Sequence, residues 1–308
     1  MEINLTSWLL FLGGSALVCA LWFFFTLRRT RPAGKAAALS LLTLALGIVL
    51  GAACARLGWV LMRINSFPAL FTLPYDELSY YGGMGGVILA VFLSAKILGC
   101  PVRETLNAFA PAGALLAALV RFAEGFLGLY GVGYVEAWIE RGVFFPVTVE
   151  IAWTEDYSEF YLAVFMLSGL FSLVAMVLSL CHGGERDRFL RTLFYLCLPQ
   201  ILCESLRSQS IVWLFVRLEQ LACFLVCEGI LAWYAFRAGP RKLRSWAPAL
   251  AGLGVCGLLI ACEFARDGKI MIGESMIAPW ICCLVMAAGL VVLAVAEHIA
   301  HRRAEAAA

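Results

Sequence analysis

The stretch Leu119-Val120-Arg121-Phe122-Ala123-Glu124-Gly125-Phe126-Leu127-Gly128-Leu129-Tyr130-Gly131 decides how the chain is read. It continues from Ala110 to Val120, which carries no charge, so a helix through it lies in lipid or in a tightly packed interior. Its arginine must then face protein or a polar cavity. Arg121 and Glu124 are spaced i, i+3, which puts both side chains on one helix face, where they can pair or jointly hold an anion. An ion pair at membrane depth is by default a functional-site expectation, with a purely structural pair as the alternative. The glycines that follow let the chain leave the helix and approach a bulky ligand closely.

The surrounding composition makes the lipid setting general. Of 308 residues 63% are hydrophobic and 14% charged, with a mean hydropathy of +0.90. That is the composition of an all-α, polytopic membrane protein and leaves no room for a separate soluble domain. A formal net charge of +2 gives no reason to expect a nucleic-acid partner. Most of the twelve cysteines, among them Cys54, Cys223, Cys227, Cys256, Cys282 and Cys283, lie inside apolar runs and read as small buried residues. There is no CxxC pair, and His182, His298 and His301 sit at segment ends, so neither a metal site nor a cofactor is expected.

Nine spans are predicted. Residues 5–27 form the first, closed by Arg28, Arg29, Arg31 and Lys35; because these charges follow the apolar run, it reads as a retained helix rather than a signal peptide. The second, about 36–62, carries a deep arginine, Arg56. A loop with Pro68, Pro74, Asp76 and Glu77 leads to Ser79-Tyr80-Tyr81-Gly82-Gly83-Met84-Gly85-Gly86, which opens the third span, to about Lys96. Glycines at a helix start can expose N–H groups to an anion or permit close helix packing, and both readings stand. The fourth span, about 106–129, holds Arg121 and Glu124. The polar loop from Tyr130 to Tyr157 is long for a connection, which marks it as a candidate lid or substrate-facing element.

The fifth span is expected at about 158–181 and the sixth at about 190–206, where Gln200, Glu204 and Arg207 share one helix face. The seventh, about 212–236, begins with Arg217, Glu219 and Gln220; its Glu228 and the Cys223/Cys227 pair read as an interfacial carboxylate and packing thiols. A basic hinge, 237–245, precedes two further spans, about 246–263 and 277–298. Glu263, Arg266, Asp267 and Lys269 then fall in a short outer loop, read as part of a packing addendum or partner surface.

Orientation follows from the basic residues. With the N-terminus outside, the inner loops collect fifteen Lys and Arg, from Arg28 to Arg303, and the outer segments six: Arg63, Arg141, Arg207, Arg217, Arg266 and Lys269. This predicts N-out, C-in. Arg56, Tyr81, Arg121, Glu124, Glu204 and Arg207 then all belong to the outer half. Arginines, carboxylates and tyrosines at headgroup depth suit an anionic phospholipid, since Arg holds phosphate bidentately and Glu pairs with the Arg when no lipid is bound. Displacement of a phosphate-bearing leaving group is the chemistry such arginines would favour. The nucleophile would need a base, no histidine lies in the outer half, and tyrosine, with an ordinary pKa near ~10, serves only if nearby cations stabilise the tyrosinate.

Residues 1–237 resemble the prolipoprotein diacylglyceryl transferase family, bacterial inner-membrane enzymes that modify the lipobox cysteine of lipoprotein precursors. Cys54-Ala55-Arg56-Leu57-Gly58-Trp59-Val60-Leu61 is similar to the family's Gly-X-Arg-hydrophobic-Gly-Tyr-Val-Leu, and Ser79-Tyr80-Tyr81-Gly82-Gly83 to its Ser-Phe-His-Gly-Gly. The opening stretch resembles the family signature, keeping Arg121, Gly128, Tyr130 and Gly131. Tyr157-Ser158-Glu159-Phe160-Tyr161 echoes Pro-Ser-Gln-Leu-Tyr-Glu, and the helix from Gln200 to Arg207 keeps Glu204 and Arg207 of Arg-X-X-X-Glu-Phe-hydrophobic-Arg. Tyr81 stands at the family's histidine, Glu124 at an asparagine, Leu129 at the signature glutamate and Gln200 at an arginine.

The resemblance implies a seven-helix domain, 1–237, followed by an addition, 238–308, that belongs to no family pattern. It implies transfer of diacylglyceryl from phosphatidylglycerol to a cysteine thiol, with glycerol phosphate leaving and with membrane lipids and lipoprotein signal segments as partners. Tyr81, Arg121 and Glu204 would be the catalytic residues, and Arg56, Gly82, Gly83, Glu124, Gly128, Tyr161, Gln200 and Arg207 would bind substrate. Two other readings remain: a catalytically lapsed relative that binds anionic lipid or signal segments, and a small-molecule transporter, which glycine-interrupted helices and intramembrane charges also fit but for which no internal repeat is found.

Overall fold

The computed structural model describes residues 4–62, 77–133, 147–154, 157–182, 186–208, 212–213, 216–266, 268, 270–272 and 275–307. Among them nine helices are long and apolar enough to cross a membrane, so the protein is an all-α, multi-pass membrane protein. They are α1 (Leu5–Arg28), α2 (Ala33–Met62), α3 (Tyr80–Ile97), α4 (Val102–Ala123), α5 (Val164–Cys181), α6 (Arg188–Leu206), α7 (Leu218–Ala238), α8 (Leu243–Arg266) and α9 (Pro279–Ala306). Among the described residues three small antiparallel ribbons join them: β1 (Thr148–Thr154) with β2 (Tyr157–Leu162), β3 (Val212–Trp213) with β4 (Val216–Arg217), and β5 (Met271–Ile272) with β6 (Ser275–Met276). Packing divides the chain into two compact units, Met1–Leu193 and Phe194–Ala308.

In the first unit α4 is the central helix. It packs on α1, α3 and α5, and its buried Ala110, Ala112, Gly113, Ala114, Ala117 and Ala118 let those neighbours approach closely. Pro111 lies inside this helix, a position that membrane helices tolerate where neighbouring groups re-satisfy the freed carbonyl. Phe23 meets Phe109 edge-on at 5.3 Å, in a core that also holds Leu27, Leu39, Val91 and Ala112. The lipid-facing sides of α1 and α2 carry exposed Leu10, Leu17, Leu21, Leu41, Ile48 and Val49, as expected where no water competes for the surface. α2 lies directly on α3, and the glycines of α3 explain how. A side chain at Gly86 would meet the Leu50 carbonyl carbon at 2.6 Å and Gly51 Cα at 2.9 Å, so only hydrogen fits between the helices.

Local signals set the helix ends. Asn4 Oδ1 accepts the Ser7 N–H at 2.9 Å to start α1, Ser79 Oγ accepts the Gly82 N–H at 3.2 Å to start α3, and Pro279 opens α9. In the second unit α7 packs on α8 and α9, and α8 on α9.

Two expected boundaries are corrected. The polar loop 130–157 is not wholly irregular, and the fifth helix begins at Val164 rather than near 158, because Thr148–Thr154 and Tyr157–Leu162 pair as β1 and β2. Residues 134–146 of that loop lie outside the described residues, as do Arg63, Pro68, Pro74, Asp76, Asp267 and Lys269. The eighth helix runs on to Arg266, so Glu263 and Arg266 belong to α8 and not to an outer loop.

Candidate functional site

Two buried arginines of the first unit, Arg121 and Arg56, lie beside the turn that starts α3. Arg121, in the last turn of α4, is fully buried. Its Nη1 donates to Glu124 Oε1 at 2.7 Å, the i, i+3 pair expected from spacing. Its Nη2 donates to Tyr81 Oη at 3.0 Å, and its face lies 3.6 Å from the centre of the Tyr80 ring. A guanidinium held edge-on by a carboxylate and a phenol, and face-on by an aromatic ring, is oriented in all three dimensions.

On the other side of the same turn is Arg56, also buried, in α2. Its Nη1 donates to Glu77 Oε2 at 2.7 Å and to the Glu77 carbonyl at 3.0 Å, and its guanidinium lies 4.9 Å from the Trp59 ring. The Ser79 N–H donates to the Ala55 carbonyl at 2.9 Å, so residues 77–79 are laid along α2 before α3 begins. In the sequence Glu77, two residues before the cap of α3, reads as a loop acid; its one signal is position, between the proline-containing loop and the glycine run.

The glycines of this turn have a packing role. The Gly82 N–H is taken by Ser79 Oγ and the Gly83 N–H by the Ser79 carbonyl at 3.0 Å. A side chain at Gly82 would run into the Cys54 carbonyl, and one at Gly83 would touch Ala55 Cβ at 3.5 Å. Of the two readings open in the sequence, these contacts answer to close helix packing.

Beyond Arg121 the helix changes character. Glu124–Gly131 is a tight 3₁₀ segment broken at Leu127 and Gly128, where Gly128 has φ +66°, a backbone region that side chains disfavour. Asn4 N–H donates to the Phe126 carbonyl at 3.0 Å, so the start of α1 closes over this segment. The β1–β2 hairpin and α5 close it from elsewhere: Gly133 N–H donates to the Leu162 carbonyl at 2.7 Å, and Phe165 fills the space that a side chain at Gly125 or Gly131 would need. Tyr161 is on β2, where its Oη donates to Glu159 Oε2 at 2.6 Å.

Gln200, Glu204 and Arg207 belong to the second unit. All three are buried at the end of α6, with Arg207 Nε 3.7 Å from Glu204 Oε2. Arg217, just before α7, donates from Nη1 to the carbonyls of Glu204 at 3.0 Å and Arg207 at 2.9 Å. Its Nε lies 3.6 Å from Glu263 Oε2 of α8. The sequence does not disclose this contact, because its partners are far apart along the chain and Glu263 stands where the charges read as a loop.

Arg56 and Arg121 each carry one carboxylate, so these two pairs are together neutral. An arriving phosphate can replace a carboxylate on a guanidinium, since both present two oxygens at the spacing of the guanidinium fork. Compared with family models, with curated proteins and with solved structures, the chain shows no significant match to any.

Proposed function

We propose that this protein transfers the diacylglyceryl group of phosphatidylglycerol to the lipobox cysteine of lipoprotein precursors at the outer face of a bacterial cytoplasmic membrane. The observation that carries the reading is Arg121: a fully buried guanidinium at membrane depth, with Glu124 and Tyr81 on its two terminal nitrogens. The resemblance of residues 1–237 to the diacylglyceryl transferases supplies the substrate class.

The lipid phosphate exchanges with Glu124 on Arg121. The cysteine sulfur attacks the glyceryl carbon that bears the phosphate ester oxygen, the C–S bond forms, and the C–O bond breaks with its electron pair going to the departing glycerol phosphate. Arg121 balances the charge that develops on that oxygen. The thiol, with an ordinary pKa near ~8.5, gives its proton to a base beside Arg121. Tyr81 occupies the family's histidine position, and the Glu124 carboxylate displaced by the phosphate is the second group within reach of that proton.

The test uses the purified full chain with phosphatidylglycerol and a lipobox peptide, and reads the mass added to the peptide cysteine. Modification is expected from the wild type and a loss of about 10²-fold or more from Arg121→Ala, the scale of removing a donor that stabilises developing charge. Turnover undiminished in Tyr81→Phe removes Tyr81 from proton handling and leaves Glu124. Phosphatidylglycerol bound without peptide modification overturns the transferase reading in favour of a lapsed relative that binds lipid alone.

A further inference from the structure

The two helices that follow the family-like region reach into the second unit's polar core. Glu263, in the last turn of α8, is 7% exposed, and its two carboxylate oxygens serve two different helices. Oε1 accepts from Ser205 Oγ on α6 and from Gln220 Nε2 on α7, the latter at 3.3 Å. Oε2 faces Arg217 Nε at 3.6 Å. Gln220 Nε2 also donates to Ser205 Oγ at 2.9 Å and to the Ile201 carbonyl at 3.1 Å, so one carboxylate, one amide and one hydroxyl pin α6, α7 and α8 together.

Arg217 is what this arrangement holds in place. The last turn of any helix leaves carbonyls without intrahelical partners, and a cation there satisfies them and complements the helix dipole. Arg217 does this for α6, donating to the carbonyls of Glu204 in its last turn and of Arg207 just past its end, two residues whose side chains the family resemblance singles out. A buried guanidinium needs a counter-charge to stay in such a place.

We propose that Glu263 is a positioning residue: through Arg217 it fixes the end of α6, and with it the Glu204 and Arg207 side chains, so that the added helix α8 serves the substrate-handling residues of α6 rather than merely padding them. This rests on the reading above together with the family resemblance, which implies a catalytic role for Glu204 and substrate binding for Arg207.

The experiment compares wild type, Glu263→Gln and Glu263→Asp as full chains in the same lipid–detergent micelles, measuring KM for phosphatidylglycerol and kcat separately, with amide hydrogen exchange over 201–208. Glu263→Gln is expected to raise KM about tenfold with kcat within about twofold, the size of losing one charge-assisted contact. It should also speed exchange over 201–208. Glu263→Asp, which keeps the charge, is expected to recover most of the KM. A wild-type KM in Glu263→Gln, or loss of both parameters in step with the folded fraction and no rescue by Asp, overturns the positioning role while leaving the transferase reading intact. A wild type that neither binds nor transfers the lipid overturns both.

Discussion

Arg121 Nη2 donates to Tyr81 Oη across 3.0 Å, and this bond joins the last turn of α4 to the first turn of α3. The same guanidinium holds Glu124 at 2.7 Å, so a neutral phenol and a charged carboxylate can be compared on one buried cation. Removing the phenol's hydroxyl removes one hydrogen bond to a charge, about 1.5–3 kcal/mol. Removing the carboxylate takes one partner from a buried ion pair, about 3–5 kcal/mol. Glu124→Ala should therefore destabilise the full chain more than Tyr81→Phe, read as loss of folding free energy in denaturant titrations in mixed micelles. The reverse order would mean that Tyr81, and not Glu124, is the principal partner of Arg121.

The glycines of α3 make a sharper comparison, because adjacent positions differ in what they face. A side chain at Gly86 would meet the backbone of α2 at Leu50 and Gly51, whereas one at Gly85 has nothing within 4 Å. Gly86→Ala should lower the thermal midpoint of the protein, since backbone cannot step aside as a flexible side chain can. Gly85→Ala should be neutral or raise it, by up to about 1 kcal/mol of helix propensity. Equal effects at the two positions would show that α2 and α3 are not packed glycine to backbone.

How far the sequence disclosed this arrangement varies with the distance over which each interaction acts. The nine spans and the Arg121–Glu124 pair were legible because hydropathy and an i, i+3 spacing are local properties. The glycines at 82 and 83 were ambiguous, because anion binding and close packing ask for the same absent side chain, and only the position of Cys54 and Ala55 on α2 separates them. Glu263 was misplaced for a physical reason: hydropathy ends a span at its first charge, while the chain continues the helix because Ser205, Gln220 and Arg217 satisfy that charge from other helices. The β1–β2 hairpin was hidden in the same way, since the alternation of Thr148-Val149-Glu150-Ile151 is a period of two, too short to stand out in a segment read as polar loop.

The reading of the site as outward-facing depends on orientation, and one cysteine tests it. Of the twelve cysteines only Cys181 is exposed, and it is the last residue of α5. With the N-terminus outside, the odd-numbered helices run inward, so Cys181 lies at the cytoplasmic face; the half-buried Cys54, Cys256 and Cys283 sit within apolar helices that an ionic reagent does not enter. A membrane-impermeant maleimide should therefore label the protein in inverted membrane vesicles and not in intact spheroplasts, and Cys181→Ser should remove the label. Labelling from outside would invert the chain. Arg121, at the opposite end of its helix from the Val102 start, would then belong to the cytoplasmic leaflet, where a lipobox cysteine emerging on the far side of the membrane could not meet a lipid held by that arginine.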